Sequence, residues 1–288
     1  YTEKEFRSLF SINSLSKKDI YTQFKRKKNN SFAKLITESM TFDDPEFSKI
    51  CDSIIFINLM EFLLFMDKSI STDFTKSHYI TPLRYSFTRY IRNKDLAVDN
   101  IDPSGKNVME YILSLGEDDL KSYISFLETS LGISVTVEGK DENKSIYIQK
   151  DDEKDNIIDV GYGYSQILPI ATMLWDVANK QYKCEFSETI VIEQPEIHLH
   201  PSMQADLVNL FINALNLSKE KGNPIKLILE THSSYLVNKL GRFIREEKLS
   251  SDDVSVYLFD KNQGITNITS TKFDNHGRIQ RWPIGFLD

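Results

Sequence analysis

Apolar residues recur every three or four positions through most of the first 75 residues, as in SLSKKDIYTQFKRKKNNSFAKLITESM, which has serines at helix-start positions and no glycine. That spacing predicts helices, the last an apolar one around Ile54–Phe65. The texture changes after HYITPLRYSFTRYI. A Pro-Ser-Gly turn opens DPSGKNVMEYILSLGEDDLKSYISFLETSLG, which predicts two helices with acidic residues near the start of the second. Alternation follows in ISVTVEG and KSIYIQK, a hairpin across a charged turn, and NIIDV is expected to add another strand. The acidic KDDEKDN (Lys150–Asn156) reads as a solvated loop.

From Gly161 the pattern sharpens. SQILPIATMLWDVANK carries Ile167, Ile170, Ala171, Leu174 and Ala178 on one helical stripe, with Pro169 expected in the first turn, where proline is tolerated. TIVIE is a short strand of the kind covered on both faces. SMQADLVNLFINAL places Met203, Leu207, Leu210, Phe211 and Ala214 on one side of a helix, with Pro201 at its first position. IKLILE predicts a second buried strand, and SSYLVNKLGRFIREEKL a helix capped by Ser233 or Ser234. VSVYLFD and ITNITSTKF, separated by KNQG, close with a strand pair. Strand, helix, strand, helix, strand is the order of a parallel sheet with right-handed crossovers, so the fold class is α/β, mostly parallel and flanked by helices. Residues 1–77 form a helical arm in this reading and residues 78–288 an α/β lobe.

Composition narrows the class. With 288 residues, 40% hydrophobic and 27% charged, the chain has the make-up of a soluble globular protein able to bury a sizeable core. A net charge of -7 argues against wholesale coating of nucleic acid but allows a local basic patch. Cys51 and Cys184 are too few and too distant for a disulfide framework, which points to a reducing, cytoplasmic setting. The most apolar run, Ser53–Met66, is too short to span a bilayer and contains Asn58 and Glu61, so no membrane partner is expected. The chain opens on Tyr1 without a methionine, as a piece of a longer protein does. Trp175, Trp282 and Phe286 read as packing residues, the closing RWPIGF as a docked tail, and Arg84 and Arg89 as stacking partners of nearby aromatics.

Candidate chemistry concentrates in SETIVIEQPEIHLHPSMQADLVNLF. In a parallel α/β sheet ligands sit at the carboxyl ends of the strands. Glu193 ends one strand and Glu230 the next, with Thr231 and His232 directly after it. Glu193, Gln194, Glu196, His198, His200 and His232 are therefore expected along one edge. A carboxylate there suits Mg²⁺ beside a phosphate, and an imidazole can donate to a phosphate oxygen.

These segments resemble a known family. IVIEQPEIHLHP looks like the Walker B segment and following loop of ABC-type ATPases related to RecF and the overcoming-lysogenization-defect proteins. ILETHSSYLVNKL is similar to their switch-histidine segment, and VGYGYSQILPI to their signature loop. HYITPLRYSFTRY, DPSGKNVMEYI and DNHGRIQRWPIGFLD resemble a subgroup whose C-terminal part is known only as a domain of unknown function. The resemblance covers about residues 78–288, with 1–77 matching the variable helical arm of the ATPase head. It implies ATP and Mg²⁺ as cofactors and a homodimer closed through the nucleotide. Glu193 would hold Mg²⁺ through water, Gln194 occupy the place of the water-polarising glutamate, and His232 be the switch histidine. Gly161, Gly163, Ser165 and Gln166 would contact nucleotide bound to the opposite subunit. The residues agree with this: two glycines before a helix that begins at Ser165 let amides turn toward an anion.

Two features depart from the family pattern. Gln194 cannot accept a proton and can only orient water, so hydrolysis is expected to be slow, or Glu196 to serve as base. No G-x-x-x-x-G-K-[ST] phosphate loop occurs, and the look-alike from Gly132 has the wrong spacing, so that loop is expected upstream of Tyr1. The expected function is an ATPase subunit that gates an effector, in anti-phage defence or DNA repair, with any nuclease supplied by a partner. One alternative is a nucleotide-independent scaffold for protein, DNA or RNA, with Lys25, Arg26, Lys27 and Lys28 contacting phosphates. The other is a metal-dependent hydrolase built on His198 and His200 with Glu193, Glu196 and His232.

Overall fold

The computed structural model describes residues 41, 43–92, 98–139, 143–180 and 187–280. The helices expected before residue 41, the basic Lys25, Arg26, Lys27 and Lys28, and the RWPIGF ending with Trp282 and Phe286 lie outside the described residues. The chain divides into two compact units, Tyr1–Thr75 and Lys76–Asp288.

The first unit contributes helix α1 (Pro45–Thr75), longer at both ends than its apolar segment suggests. Asp44 starts it by accepting the Glu46 N–H at 3.0 Å, with Pro45 in the first turn where its missing N–H costs nothing. Phe47 is fully buried, whereas Leu63, Leu64 and Phe74 are exposed.

The second unit is built on a parallel sheet of β1 (Ser77–Ile80), β6 (Glu188–Glu193) and β7 (Ile225–Glu230), in the order β1–β6–β7. Between β1 and β6 run β2 (Ile91–Arg92), helices α2 (Val108–Ser114) and α3 (Glu117–Leu131), β3 (Ser134–Glu138), β4 (Asn143–Lys150), β5 (Glu153–Asn156) and helix α4 (Tyr162–Asn179). Strands β2, β4, β3 and β5 make a separate antiparallel sheet. Helix α5 (Pro201–Lys221) connects β6 to β7. Helix α6 (Ser234–Arg245) follows β7, and β8 (Val256–Asn262) and β9 (Ile265–Thr271) form an antiparallel hairpin. Ile80, Ile190, Ile192 and Ile225 face the core, where α4 packs on α5 and α5 on α3 and α6.

The α/β class and the parallel pairing of TIVIE with IKLILE stand, but several local expectations change. The third strand of the parallel sheet is β1, not the closing VSVYLFD, which pairs only with its own hairpin partner among the described residues. The acidic Lys150–Asn156 is not a loop throughout: it turns at Asp151, where φ is +54°, and Glu153–Asn156 pairs back on β4. NIIDV leaves the sheet after Asn156 and buries Ile157 in a turn. Neither β6 nor β7 is covered on both faces. Alternate residues of β6 are half-buried, and Lys226, Ile228 and Glu230 of β7 are exposed. Helix α4 begins at Tyr162, so Ser165 lies one turn inside it and Pro169 sits in its interior. An interior proline costs a helix about 3 kcal/mol. The compensation is burial, with the ring lying where Gly105, at φ +75°, has no side chain to collide with it.

Candidate functional site

Parallel pairing fixes the geometry of the sheet rim. Glu193 and Glu230 are register partners at the carboxyl ends of β6 and β7, on the face away from the core. Neighbouring strands lie about 4.8 Å apart, so two carboxylates stand side by side at one edge. Tyr79 of β1, the register partner of Val191, belongs to the same face. Hydrogen bonding toward Glu193, then desolvation and the charges of Glu193 and Glu230, raises the Tyr79 pKa. Tyr79 went unnoticed in the sequence, because nothing short of the β1–β6 pairing brings it to Glu193.

The turn after β6 carries the other candidates. Gln194 has φ +44° and His198 φ +62°, both uncommon for residues other than glycine. The Gln194 N–H donates to the Glu230 carbonyl at 2.8 Å, joining the rims of the two strands. Glu196 turns inward: one carboxylate oxygen accepts the His232 N–H at 2.7 Å, and the other is buried without a partner among the described residues. The His232 side chain is exposed. Ser233 accepts the Leu236 N–H and donates to Gln204 at 2.6 Å, while Gln204 donates to the Leu199 carbonyl. Loop, α5 and the turn before α6 are thus one hydrogen-bonded unit.

Arg84 enters this unit from the turn after β1. It is buried rather than stacked on aromatics, and donates to the carbonyls of Glu193 and Gln194 at 3.0 and 3.2 Å. Arg89 is exposed and makes a two-pronged pair with Asp159 at 2.7 and 2.8 Å.

The glycine-containing segment meets the same loop. Gly161 precedes α4 at φ +92° and ψ 159°, a conformation essentially reserved for glycine, and both Gly161 and Tyr162 are exposed. The Tyr162 ring stands edge-on to His198, centroids 5.1 Å apart. Gly163 leaves room for Met203 and Leu199. Ser165 and Gln166 are buried, and the Ser165 hydroxyl donates to the Tyr162 carbonyl at 2.6 Å. Of this segment the exposed backbone around Gly161 and Tyr162, not the Ser165 and Gln166 side chains, is available to a ligand.

The two histidines of EIHLH do different work. His198 packs on Tyr162, and His200 caps α5, its Nδ1 accepting the Ser202 N–H. Among the described residues no group of three or more His, Cys, Asp or Glu is arranged to hold a metal ion unaided. Mg²⁺ asks for less, taking one or two carboxylates and completing its shell with water and phosphate oxygens. The Glu193–Glu230 pair fits that donor set. Among the described residues no helix is long and apolar enough to cross a membrane.

A family model described as AAA ATPase domain matches residues 2–237, and one described as a protein of unknown function (DUF3696) matches residues 249–288. Endonuclease GajA of Bacillus cereus (strain HuB5-5) is 36% identical over 84 residues, which is 27% of this chain and 12% of that protein. Septu protein PtuA of Bacillus mycoides (strain KBAB4) is 27% identical over 109 residues, 38% of this chain and 15% of that protein. The matches therefore span less than a sixth of either relative. Among solved structures, the Smc head domain of Pyrococcus furiosus, bound to the C-terminal domain of ScpA, aligns over 54% of this chain and 35% of its own at 12% identity and a TM-score of 0.37. The Smc head of Pyrococcus yayanosii aligns over 57% and 28% at 12% identity and a TM-score of 0.36.

Proposed function

Since the chain belongs to the AAA ATPase domain family, we propose that it is part of an ABC-type ATPase head that closes as a homodimer around Mg-ATP, hydrolyses it slowly and gates an effector. The observation that carries this reading is the rim of the parallel sheet. Two carboxylates, Gln194 and the turn bearing His232 are gathered at the strand ends, where α/β sheets bind ligands. Glu193, with Glu230 beside it, would hold Mg²⁺, whose charge would offset that of the phosphates. His232, exposed on its held turn, donates to a terminal phosphate oxygen. The amides at Gly161 and Tyr162 face the nucleotide of the second copy, with Gly163, Ser165 and Gln166 supporting that helix end from within.

Gln194 sets the tempo. An amide oxygen orients water but takes no proton, so turnover is slow and the closed state long-lived. Glu196, committed to the His232 amide, is a poor substitute base. The effector is a nuclease or another protein acting on DNA or RNA in the cytoplasm, in anti-phage defence or DNA repair. A relative named an endonuclease supports nucleic acid as the ultimate target.

The test is ATP turnover by the full-length protein and its Gln194→Glu variant, with light scattering to follow assembly. Wild type should turn over slowly and dimerise with Mg-ATP, and Gln194→Glu should be faster. A slower or unchanged variant would overturn the assignment of Gln194.

A further inference from the structure

Arg84 is held before its side chain is placed. On either side of it, Thr81 N–H donates to the Pro103 carbonyl at 3.0 Å and Tyr85 N–H to the Ser104 carbonyl at 2.8 Å. From that anchored turn, Nη2 alone reaches both the Glu193 and Gln194 carbonyls. The side chain is 4% exposed, and Nε and Nη1 are buried without partners among the described residues. Burial lowers its pKa to about 10 against the opposing pull of Glu196, so it remains charged at neutral pH. A buried charge is costly, and an apolar residue of similar volume fills such a space more stably. Packing therefore does not account for an arginine here.

Its two acceptors flank a strained peptide. Gln194 is a non-glycine residue at φ +44° that also precedes a proline. Its own Cβ disfavours that region, and the Pro195 ring pushes the preceding residue toward extended backbone. Opposing this, Gln194 N–H donates to Glu230, and the Gln194 carbonyl accepts both Ile197 N–H and Arg84.

We propose that Arg84 is a positioning residue, its guanidinium clamping the Glu193 and Gln194 carbonyls so that the left-handed Gln194 backbone aims its side-chain amide at the nucleotide edge of the sheet. The clamp's effect on turnover rests on the ATPase reading above; its effect on the backbone does not.

The test uses the full-length protein with Arg84→Gln, Arg84→Lys, Gln194→Gly and the double variants, read by urea unfolding and by ATP turnover. Glycine adopts φ +44° without help. The loss of stability from either Arg84 variant should therefore be smaller in the Gln194→Gly background, and Arg84→Lys serves the cycle if Arg84→Gln does not fold. In turnover, Arg84→Gln should lower kcat about a hundredfold, with KM changed by no more than about threefold, and Arg84→Lys should recover part of the loss. Additive stability losses, or a folded Arg84→Gln with unchanged kcat, would overturn the clamp. No turnover by wild type would instead sink the ATPase reading, and the unfolding cycle would still decide the clamp.

Discussion

The Glu196 carboxylate accepts the backbone N–H of His232 at 2.7 Å, tying the turn after β6 to the turn after β7. A charged acceptor makes this one of the stronger classes of hydrogen bond. Glu196→Ala hands the exposed His232 N–H to water and should cost about 0.5–1.5 kcal/mol in urea unfolding. Glu196→Gln keeps an acceptor and should cost less. Equal losses in the two variants would mean that charge, not the contact, matters.

The two glycines before and in α4 should respond differently to the same substitution. Gly161→Ala forces a side chain into φ +92°, ψ 159°, although the space around it is open, and should destabilise by about 1–3 kcal/mol. At Gly163 an added Cβ meets the Met203 sulfur at 3.1 Å, near the end of a flexible side chain. Gly163→Ala should therefore stay within about 0.5 kcal/mol of wild type. Thermal melts of both variants check the contrast.

Local signals carried much of the fold. Pro201 and Ser233 mark their helix starts, because capping is decided within one turn of chain. Strands β6 and β7 were legible as apolar runs, but not their exposure: Ile228 lies on an open sheet face, which the three consecutive hydrophobics Leu227–Leu229 cannot disclose. Strand β1 was missed because its register partners begin at Thr189, far along the chain. The same long-range pairing hid Tyr79 and the placement of Arg84. Of the rim residues, Glu193, Gln194, Glu230 and His232 were findable because each ends or follows an apolar strand. That Glu196 faces inward was not findable, since its partner is a backbone amide on another segment.

Gly241 of α6 and Gly277 lie in direct backbone contact. A Cβ on either would strike the carbonyl oxygen of the other, and Gly277 also holds φ +73°. This approach docks the segment after β9 onto α6. Overpacking of this kind costs about 1–3 kcal/mol, so Gly241→Ala should lower the melting temperature. Protease should then cut near residues 272–280 more readily than in wild type. An unchanged melting temperature together with unchanged cleavage would mean that the segment does not depend on the close approach.

Acid should loosen the sheet at Glu188. This residue is buried at the start of β6, where its carboxylate accepts Nε2–H of His78 at 2.7 Å. Burial alone would raise its pKa, but the His78 hydrogen bond and the charges of Lys180, His78 and Lys76 outweigh that and leave it below the ordinary 4.5. A carboxyl group whose folded pKa is depressed binds fewer protons when folded than when unfolded. Its stabilisation is therefore complete above the ordinary value and disappears as pH falls through the folded one. Urea midpoints should decline as the pH drops below about 4.5. Glu188→Gln should be less stable at neutral pH and show a shallower decline in that window. The same acid slope in wild type and variant would assign the loss to other carboxylates, such as Glu246, whose pKa is lowered to about 2 by Lys248 and Arg242.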